Sequence, residues 1–270
     1  MTTRPPRIMG ILNVTPDSFS DGGKYLTPEA AVRKALALVD AGAEIIDVGG
    51  ESTRPGAETI PETEELDRVC PVIEALVQET DIPISIDTRK PEVAKFAIGA
   101  GASIWNDVSA LTYAEESLSL AASLQCPIVL MHAKGTPKSM QESPEYDDVL
   151  GEIVAFLEER IQACIDAGID RSRIIVDPGI GFGKTLAHNL CILQNIDVFK
   201  RLGPVLLGAS RKRFIDLIDR ETPAEDRQGG SIAAALIGAS AGVDIIRVHD
   251  VAQTRQALAV WSAVARSDTH

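Results

Sequence analysis

Residues 83–107, PISIDTRKPEVAKFAIGAGASIWND, place one helical segment between two short apolar runs, and this alternation decides the fold. The runs Pro83–Asp87 and Ser103–Asp107 both end on polar or charged side chains. Apolar runs of this length, bounded by turn signals, are typical of strands buried on both faces. Between them, Pro91–Ile98 can form a helix with proline at its first position and glycines after its end. The stretch therefore predicts a strand–helix–strand unit.

The same unit recurs along the whole chain. The predicted strands are Ile8–Asn13, Ile45–Asp47, Pro83–Asp87, Ser103–Asp107, Pro127–His132, Ile174–Asp177, Val205–Ser210 and Ile245–His249. Eight strand–helix repeats without a linker or a shift in composition predict one (β/α)8 TIM barrel domain spanning residues 1–270. In such a barrel the C-terminal ends of the strands form the active face, so polar residues at those ends predict one shared site.

Helix signals and loop signals alternate as a barrel requires. Further predicted helices begin at Thr27-Pro28 and end at Gly42, span Val149–Ala167, and span 252–266. Two connections, Thr15–Lys24 and Gly49–Glu58, are too polar and glycine-rich for helix and would lie on the active face. Turn chemistry alone would explain their glycines and prolines. It would not explain a gathering on one face of Asn13, Phe19, Thr53 and Arg54.

Composition limits the classes of partner. The 270 residues include 26 basic and 39 acidic side chains, which give a net charge of −13. An acidic chain disfavours nonspecific binding to nucleic acid or to anionic membranes, although a local basic pocket remains compatible with it. No apolar run approaches the roughly 18 residues that span a bilayer. The start of the chain has no secretory signal, so we expect a cytoplasmic protein.

The four cysteines, Cys70, Cys126, Cys164 and Cys191, are widely spaced and contain no C-x-x-C pair. Zinc centres and redox dithiols use clustered cysteines. We therefore predict free, buried thiols in a reducing compartment.

Asp87, Asn106 and Asp177 come at the ends of three different predicted strands. An ionised aspartate accepts hydrogen bonds, whereas asparagine both donates and accepts them, so the three suit the ring N–H and amino groups of a flat heterocycle. Any one of them alone could equally be a helix N-cap. Together on one face they favour a binding pocket.

Basic residues follow the last two strands, in Ser210-Arg211-Lys212-Arg213 and Arg247-Val248-His249-Asp250. Barrels often bind phosphate after strands seven and eight, where helix N-termini add their positive potential. The alternative is a solvated basic cluster at the start of a helix. In a chain this acidic we favour the anion site.

The segment Asp177–Thr185, DPGIGFGKT, lacks the first glycine of a phosphate-binding P-loop and misses the dinucleotide fingerprint by one residue. We expect its glycines to let the backbone approach a ligand, with Phe182 packing nearby. His132 follows Met131, and no second histidine or cysteine lies near it at the spacing of a zinc site. For such an isolated histidine a structural role is more common than a catalytic one. Ser210 lacks a G-x-S-x-G context, which disfavours covalent catalysis.

These motifs together resemble the dihydropteroate synthase family over nearly the whole chain. The matching stretches, in the order of the family, are MGILNVTPDSFSDGGK, IIDVGGESTRPGAE, SIDTRKPEV, NDVSAL, LMHAKGTPKSMQ, DPGIGFGK, GASRKRF and IIRVHD. The resemblance implies condensation of 6-hydroxymethyl-7,8-dihydropterin pyrophosphate with 4-aminobenzoate and release of pyrophosphate. It also implies Mg2+ as cofactor, inhibition by sulfonamides and a homodimer, for which the small residues of Gly229–Gly242 could form an interface or simply pack on the barrel.

The resemblance also assigns roles to individual residues. The implied pterin-binding residues are Asp87, Asn106, Met131, Asp177, Phe182 and Lys212. The implied pyrophosphate-binding residues are Thr53, Arg54, Arg247 and His249, and Asn13 is implied to bind magnesium. The implied aminobenzoate pocket comprises Phe19, Thr53, Arg54, Pro55, Ser210 and Lys212. Catalysis is implied to depend on Asp177, Lys212, Arg247 and His249.

Two other functions share part of this pattern. A pterin-binding methyltransferase barrel would use the same aspartate and asparagine positions, but it needs neither the two basic motifs nor the PDSFSDGG loop. A non-catalytic pterin-binding paralogue would retain the pocket without the reaction. The intact residues Asn13, Thr53, Arg54, Lys212, Arg247 and His249 argue against that paralogue.

Overall fold

A computed structural model of the chain describes residues 4–15, 27–52, 56–135 and 144–267. Its central sheet consists of parallel strands, each followed by helix. The strands are β1 Arg7–Asn13, β2 Ile45–Gly49, β3 Ile84–Asp87, β4 Ile104–Asp107, β5 Ile128–Met131, β6 Ile174–Asp177, β7 Leu206–Leu207 and β8 Ile245–Val248.

The order of the strands is that of a barrel. Neighbours pair in the order β6-β5-β4-β3-β2-β1-β8-β7, and a parallel bridge between Val176 and Val205 joins the two ends of the sheet. The first strand lies between the second and the eighth, as ring closure requires. The predicted (β/α)8 TIM barrel is therefore confirmed.

Helices cover the outside of the barrel. They are α1 Pro28–Asp40, α2 Glu62–Glu79, α3 Pro91–Gly99, α4 Ser117–Leu124, α5 Val149–Asp166, α6 Leu186–Gln194, α7 Arg213–Ile218, α8 Gln228–Ala241 and α9 Val251–Ser267. The predicted start of α1 is confirmed, because the Thr27 hydroxyl accepts a hydrogen bond from the Ala30 amide and Pro28 is the first helical residue. Gly42, at φ +105°, follows the helix end where an L side chain would be strained.

Two strands, β2 and β7, differ from their predicted bounds by two or more residues at one end, whereas the other strands differ by at most one residue at either end. β2 continues to Gly49, because Val48 and Gly49 pair with β1 on one side and β3 on the other. β7 is much shorter than the predicted Val205–Ser210. Its last predicted residues leave the sheet, since Ser210 turns to contact His249 and Arg211 adopts a φ of +58°.

The barrel interior begins with an apolar layer at the N-terminal ends of the strands. Seven strands each contribute one aliphatic side chain to this layer, namely Met9, Ile45, Ile104, Val129, Ile175, Leu206 and Ile245. A larger cluster lies between the strands and the surrounding helices. The apolar layer fills the barrel below the active face, as in a packed barrel core.

The prediction of free thiols is confirmed, whereas the predicted burial holds for two of the four cysteines. All four cysteines are free thiols; Cys126 and Cys164 are buried, whereas Cys70 and Cys191 are only partly buried. Burial raises the pKa of Cys164 to about 11, which keeps this thiol protonated. None of the described helices is long and apolar enough to cross a membrane.

Candidate active site

A polar layer lies directly above the apolar one. Because side chains alternate along a strand, the residue two positions after each apolar-layer residue faces the same interior. On five strands these residues are Asp47, Asn106, Met131, Asp177 and Arg247. Asp87, the last residue of β3, lies beside them and pairs in register with Gly49 and Asn106. The structure thus brings together Asp87, Asn106 and Asp177, as the sequence predicts.

Arg247 connects this layer across the barrel. Its Nε donates to Asp47 Oδ2 at 2.6 Å, and its NH2 group donates to Asp87 Oδ2 at 2.6 Å. Asn106 Nδ2 donates to the same Asp47 carboxylate at 3.2 Å. Burial opposes the guanidinium charge, but the Asp47 and Asp87 carboxylates outweigh it and raise the pKa of Arg247. Asp47 therefore orients both Arg247 and Asn106, although sequence reasoning did not include it in the site.

Asp87 retains an unused acceptor. Its Oδ1 is buried and has no hydrogen-bond partner among the described residues. Burial, with the neighbouring Asp47 and Glu65 charges, raises the pKa of Asp87 to about 7 despite the opposing effect of Arg247. A buried acceptor of this kind gains from a ligand that brings an N–H donor.

Asp177 has a similar environment on the opposite side of the layer. Its Oδ1 accepts a hydrogen bond from the Gly179 amide at 2.7 Å. Burial raises the pKa of Asp177 to about 6, although that hydrogen bond and the Lys212 charge act against the shift. Lys212 Nζ lies 3.9 Å from the centre of the Phe182 ring, within cation–π distance. Asp177, Phe182 and Lys212 therefore form one wall of the site.

His249 lies just beyond the end of β8, beside Ser210. The Ser210 hydroxyl accepts from the His249 amide at 3.2 Å and lies 3.0 Å from His249 Nδ1. Burial and the neighbouring Arg247 lower the pKa of His249 to about 3, so the ring is neutral at physiological pH. If the hydroxyl donates to Nδ1, the remaining ring proton is on Nε2, available to a phosphate oxygen.

The basic run after β7 does not form one cluster, contrary to the sequence expectation. Arg211 has a φ of +58° and donates to both oxygens of Asp250, at 3.0 and 2.6 Å. Arg213 is exposed and begins α7. Lys212 is the residue of this run that lies beside Asp177. The anion-binding potential of this face thus depends on Lys212 and Arg247 rather than on the whole run.

A buried ionic cluster holds the segment that follows β2. Lys90 Nζ donates to Glu51 at 2.6 Å, to Glu65 at 2.6 Å and to the Ile60 carbonyl at 2.7 Å. Arg89 adds a hydrogen bond to Glu51 at 2.9 Å. These contacts fix the chain on both sides of residues 53–55. The predicted site residues Phe19, Thr53, Arg54 and Pro55 lie outside the described residues.

Asn13 is the last residue of β1 and is only partly buried. Within the described ranges, no three histidine, cysteine, aspartate or glutamate side chains are grouped so that they could hold a metal ion. Met131 is buried at the end of β5, in register with Asp177.

Two buried residues near the site, Asp47 and Lys184, were not predicted from the sequence. Asp47 ends the predicted second strand, so the rule applied to Asp87 and Asp177 could have found it. Lys184 is 2% exposed, and its Nζ lies 2.9 Å from His132 Nδ1. Burial and the Lys184 charge lower the pKa of His132 to about 3. This neutral, packed histidine supports the structural role expected for it.

Comparisons with known proteins agree with the geometry. The family model described as "Pterin binding enzyme" matches residues 9–249. A dihydropteroate synthase from Escherichia coli is 48% identical over 259 residues, which cover 96% of this chain and 91% of that protein. A Xanthomonas albilineans dihydropteroate synthase solved with 4-aminobenzoic acid is 51% identical, with a TM-score of 0.91 over 98% of this chain and 95% of its own. A Yersinia pestis enzyme solved with a sulfonamide drug complex is 44% identical, with a TM-score of 0.92 over 99% and 96%.

Proposed function

Because this chain belongs to the dihydropteroate synthase family, we propose that its polar layer condenses 6-hydroxymethyl-7,8-dihydropterin pyrophosphate with 4-aminobenzoate and releases pyrophosphate. The observation that carries the proposal is the set of buried acceptors above the apolar layer. Asp87 Oδ1 has no partner among the described residues, and burial raises the pKa of both Asp87 and Asp177. A flat ring with several N–H donors supplies what these carboxylates lack.

The pterin ring would lie between the two aspartates. Asp87 and Asp177 accept from ring N–H and amino groups, and Asn106 recognises the ring with its carbonyl oxygen because its amide nitrogen donates to Asp47. Met131 and Phe182 supply apolar contact. Lys212, beside Asp177 and over the Phe182 ring, contacts the edge of the pterin nearest the reacting carbon.

The pyrophosphate would lie at the opening of the barrel, near β8. Neutral His249 donates from Nε2 to a phosphate oxygen, while the positive charge of Arg247 lies in the polar layer beneath the pyrophosphate. Thr53 and Arg54 are proposed to complete this subsite. The aminobenzoate pocket is proposed to be bordered by Lys212, Ser210, Phe19 and Pro55. The Ser210 hydroxyl itself contacts His249.

The chemistry then requires charge stabilisation and positioning. The bond between the methylene carbon and the pyrophosphate oxygen breaks, and pyrophosphate leaves with the electron pair. Ionised Asp177 stabilises the cationic methylene–pterin that remains, and Lys212 and Arg247 offset the charge growing on the leaving group. The aminobenzoate nitrogen forms the new C–N bond and then releases one proton. A neutral aromatic amine is an adequate nucleophile, so no strong general base is needed.

The residues of the site fit magnesium bound chiefly through the substrate. Mg2+ commonly takes one or two protein oxygens and completes its shell with phosphates and water. The partly exposed Asn13 amide at the end of β1 offers one such oxygen, and the described residues contain no three-ligand cage that would favour zinc. When bound there, the ion would neutralise charge on the departing pyrophosphate.

We further propose a cytoplasmic homodimer that uses the outer faces of α8 and α9. The small residues of α8 pack on the barrel, because a side chain at Gly238 would collide with Leu207. The opposite faces expose Ile237, Val260 and Val264, with 46%, 63% and 61% of their surface accessible. Light scattering would return twice the 28.8 kDa chain mass if these faces pair.

The proposed reaction is tested by mixing the purified protein with dihydropterin pyrophosphate, 4-aminobenzoate and Mg2+. We expect dihydropteroate and pyrophosphate to form in equal amounts, and EDTA to stop the reaction until Mg2+ is restored. Tight binding of the pterin pyrophosphate without product would overturn the synthase and favour a non-catalytic pterin-binding protein.

Sulfonamides provide a second test of the aminobenzoate pocket. A sulfonamide mimics aminobenzoate, so we expect inhibition that added aminobenzoate reverses competitively. The measurement is the initial rate at several concentrations of both compounds. A rate unaffected by high sulfonamide at low aminobenzoate would contradict the proposed pocket.

A further inference from the structure

Lys184 is a buried lysine without a role in the reaction proposed above, and burial lowers the pKa of its ammonium group to about 7. The residue is 2% exposed, and three acceptors surround its Nζ. They are His132 Nδ1 at 2.9 Å, the His132 carbonyl at 3.2 Å and the Phe182 carbonyl at 3.0 Å. An ammonium has three N–H donors, so every donor has a partner. This arrangement ties the end of β5 to the glycine-rich segment 179–183.

The backbone of the glycine-rich segment closely approaches residues 132–134, which follow β5. Gly179, Gly181 and Gly183 have φ values of +69°, +82° and +63°, which other residues rarely adopt. A side chain at Gly179 would collide with the His132 carbonyl, and one at Gly183 would collide with the Lys134 carbonyl. Gly179 and Gly183 therefore allow close contact with the backbone of residues 132–134 on this side.

The other side of the segment faces the candidate active site. The Phe182 ring lies under Lys212 Nζ, and a Cβ at Gly181 would lie 3.2 Å from Lys212 Cδ. Segment 179–183 is thus packed between β5 and the Lys212 side chain. Tyr146 adds a hydrogen bond from its hydroxyl to the Gly183 carbonyl at 2.8 Å. A change in the position of the segment would therefore alter the contact between the Phe182 ring and Lys212.

We propose that Lys184 is a positioning residue, which acts through His132 and the Phe182 backbone to place the Phe182 ring and Lys212 against the pterin. This inference rests on the proposed function. It also explains the glycine-rich motif and the buried His132 by one arrangement. Lys184 stands in this motif where the lysine of a P-loop would contact phosphate, but here it donates to protein acceptors.

The first test replaces the ammonium by an uncharged chain of similar length, Lys184→Met. Pterin pyrophosphate affinity is measured by calorimetry below the unfolding temperature of the variant, after near-ultraviolet circular dichroism has verified the fold. We expect affinity to fall about tenfold, the size expected when buried acceptors lose their donor. Lys95→Met, which removes an exposed lysine from α3, is the matched control and should bind as the wild type does.

A double-mutant cycle separates positioning from general stability. Because Lys184 is proposed to place the Phe182 ring as well as Lys212, Lys184→Met should cost less pterin affinity in a Phe182→Ala background than in the wild type. A purely structural lysine would give the same loss in both backgrounds, and that additivity would overturn the proposal.

His132 variants test the same contact without removing the lysine. His132→Asn keeps an acceptor near the Nδ1 position and should retain most of the affinity, whereas His132→Leu should lose it as Lys184→Met does. Equal affinity in these two variants would contradict the proposal. Wild-type product formation, measured in parallel, tests the synthase reaction separately, because it does not depend on any Lys184 result.

Discussion

The two layers inside the barrel lie two residues apart on the same strands, yet they have opposite chemistry. Ile45, Ile104 and Ile245 belong to the lower layer, and Asp47, Asn106 and Arg247 follow them in the upper layer. The lower layer is a packed aliphatic core of the kind that stabilises a fold. The upper layer is a buried arrangement of charges with an unused acceptor on Asp87.

The difference shows where the barrel is stable and where it is prepared for a ligand. Burial raises the pKa of Asp87 to about 7 and of Asp177 to about 6, so their ionised forms are disfavoured in the folded protein. A ligand that supplies N–H donors would relieve this desolvation. Substitutions in the lower layer should therefore reduce stability, and substitutions in the upper layer should reduce activity.

The largest expected effect is that of Asp177→Asn in the upper layer. The substitution keeps an acceptor for the Gly179 amide but removes the negative charge proposed to stabilise the cationic methylene–pterin. We expect kcat to fall roughly 10²–10³-fold, as for loss of one preorganised electrostatic group. Pyrophosphate affinity, measured by product inhibition, should change much less. Equal losses in both would contradict the role assigned to Asp177.

Ile45→Ala tests the lower layer on strand β2. Ile45 is fully buried, so its truncation leaves a cavity and should lower the free energy of unfolding by about 2–5 kcal/mol. Denaturant unfolding measures this loss. At a temperature where the variant is folded, kcat/KM should stay within about threefold of wild type, about 0.6 kcal/mol in barrier. A much larger loss of activity would mean that the layers are not separable.

Asp47→Asn is the matched substitution two residues further along β2. Arg247 would lose one of its two carboxylate partners, and Asn106 would lose the charged acceptor that orients its amide. We expect kcat/KM for the pterin pyrophosphate to fall about tenfold, equivalent to about 1.4 kcal/mol. The comparison is made by measuring kcat/KM of Asp47→Asn and of Ile45→Ala in the same steady-state assay. Unchanged kinetics would remove Asp47 from the site.

The smallest expected effect is the pH dependence of the wild-type enzyme. Asp87 and Asp177 act as acceptors in their ionised forms, and burial raises their pKa values to about 7 and about 6. As pH falls through this range, both become protonated and lose acceptor strength. We expect kcat/KM at pH 5.5 to be at least about threefold lower than at pH 7.5. An acid limb near pH 4 would indicate aspartates with ordinary pKa values.

Much of this architecture is predictable from local sequence. The apolar runs between turn signals predict the barrel, and the polar residues that end them predict Asp87, Asn106 and Asp177 at one face. Local patterns fail where distant contacts decide the outcome. Asp47 acquires its role from Arg247, 200 positions away in the chain.

Adjacent residues can also be separated by the backbone, as after β7. Arg211 and Lys212 look equivalent in sequence, but the left-handed conformation of Arg211 and its pairing with Asp250 leave Lys212 beside Asp177. Similarly, the glycines before Lys184 suggest approach to a ligand. Their close neighbours on one side are instead the carbonyl groups of His132 and Lys134. Neither outcome can be predicted without knowing which segments pack together.

The most direct test of the two-layer account is the stability of Asp177→Asn compared with wild type as a function of pH. Burial raises the pKa of Asp177 from 3.8 to about 6, so the folded wild type binds the proton more tightly than the unfolded chain. Its unfolding free energy should therefore fall as pH rises through this window, by roughly 1–2 kcal/mol between pH 5 and pH 8 from this group. The variant lacks this slope, and we predict that its stability relative to wild type rises by that amount over the same interval. A difference that stays constant with pH, or a variant that loses stability relative to wild type as pH rises, would contradict the account.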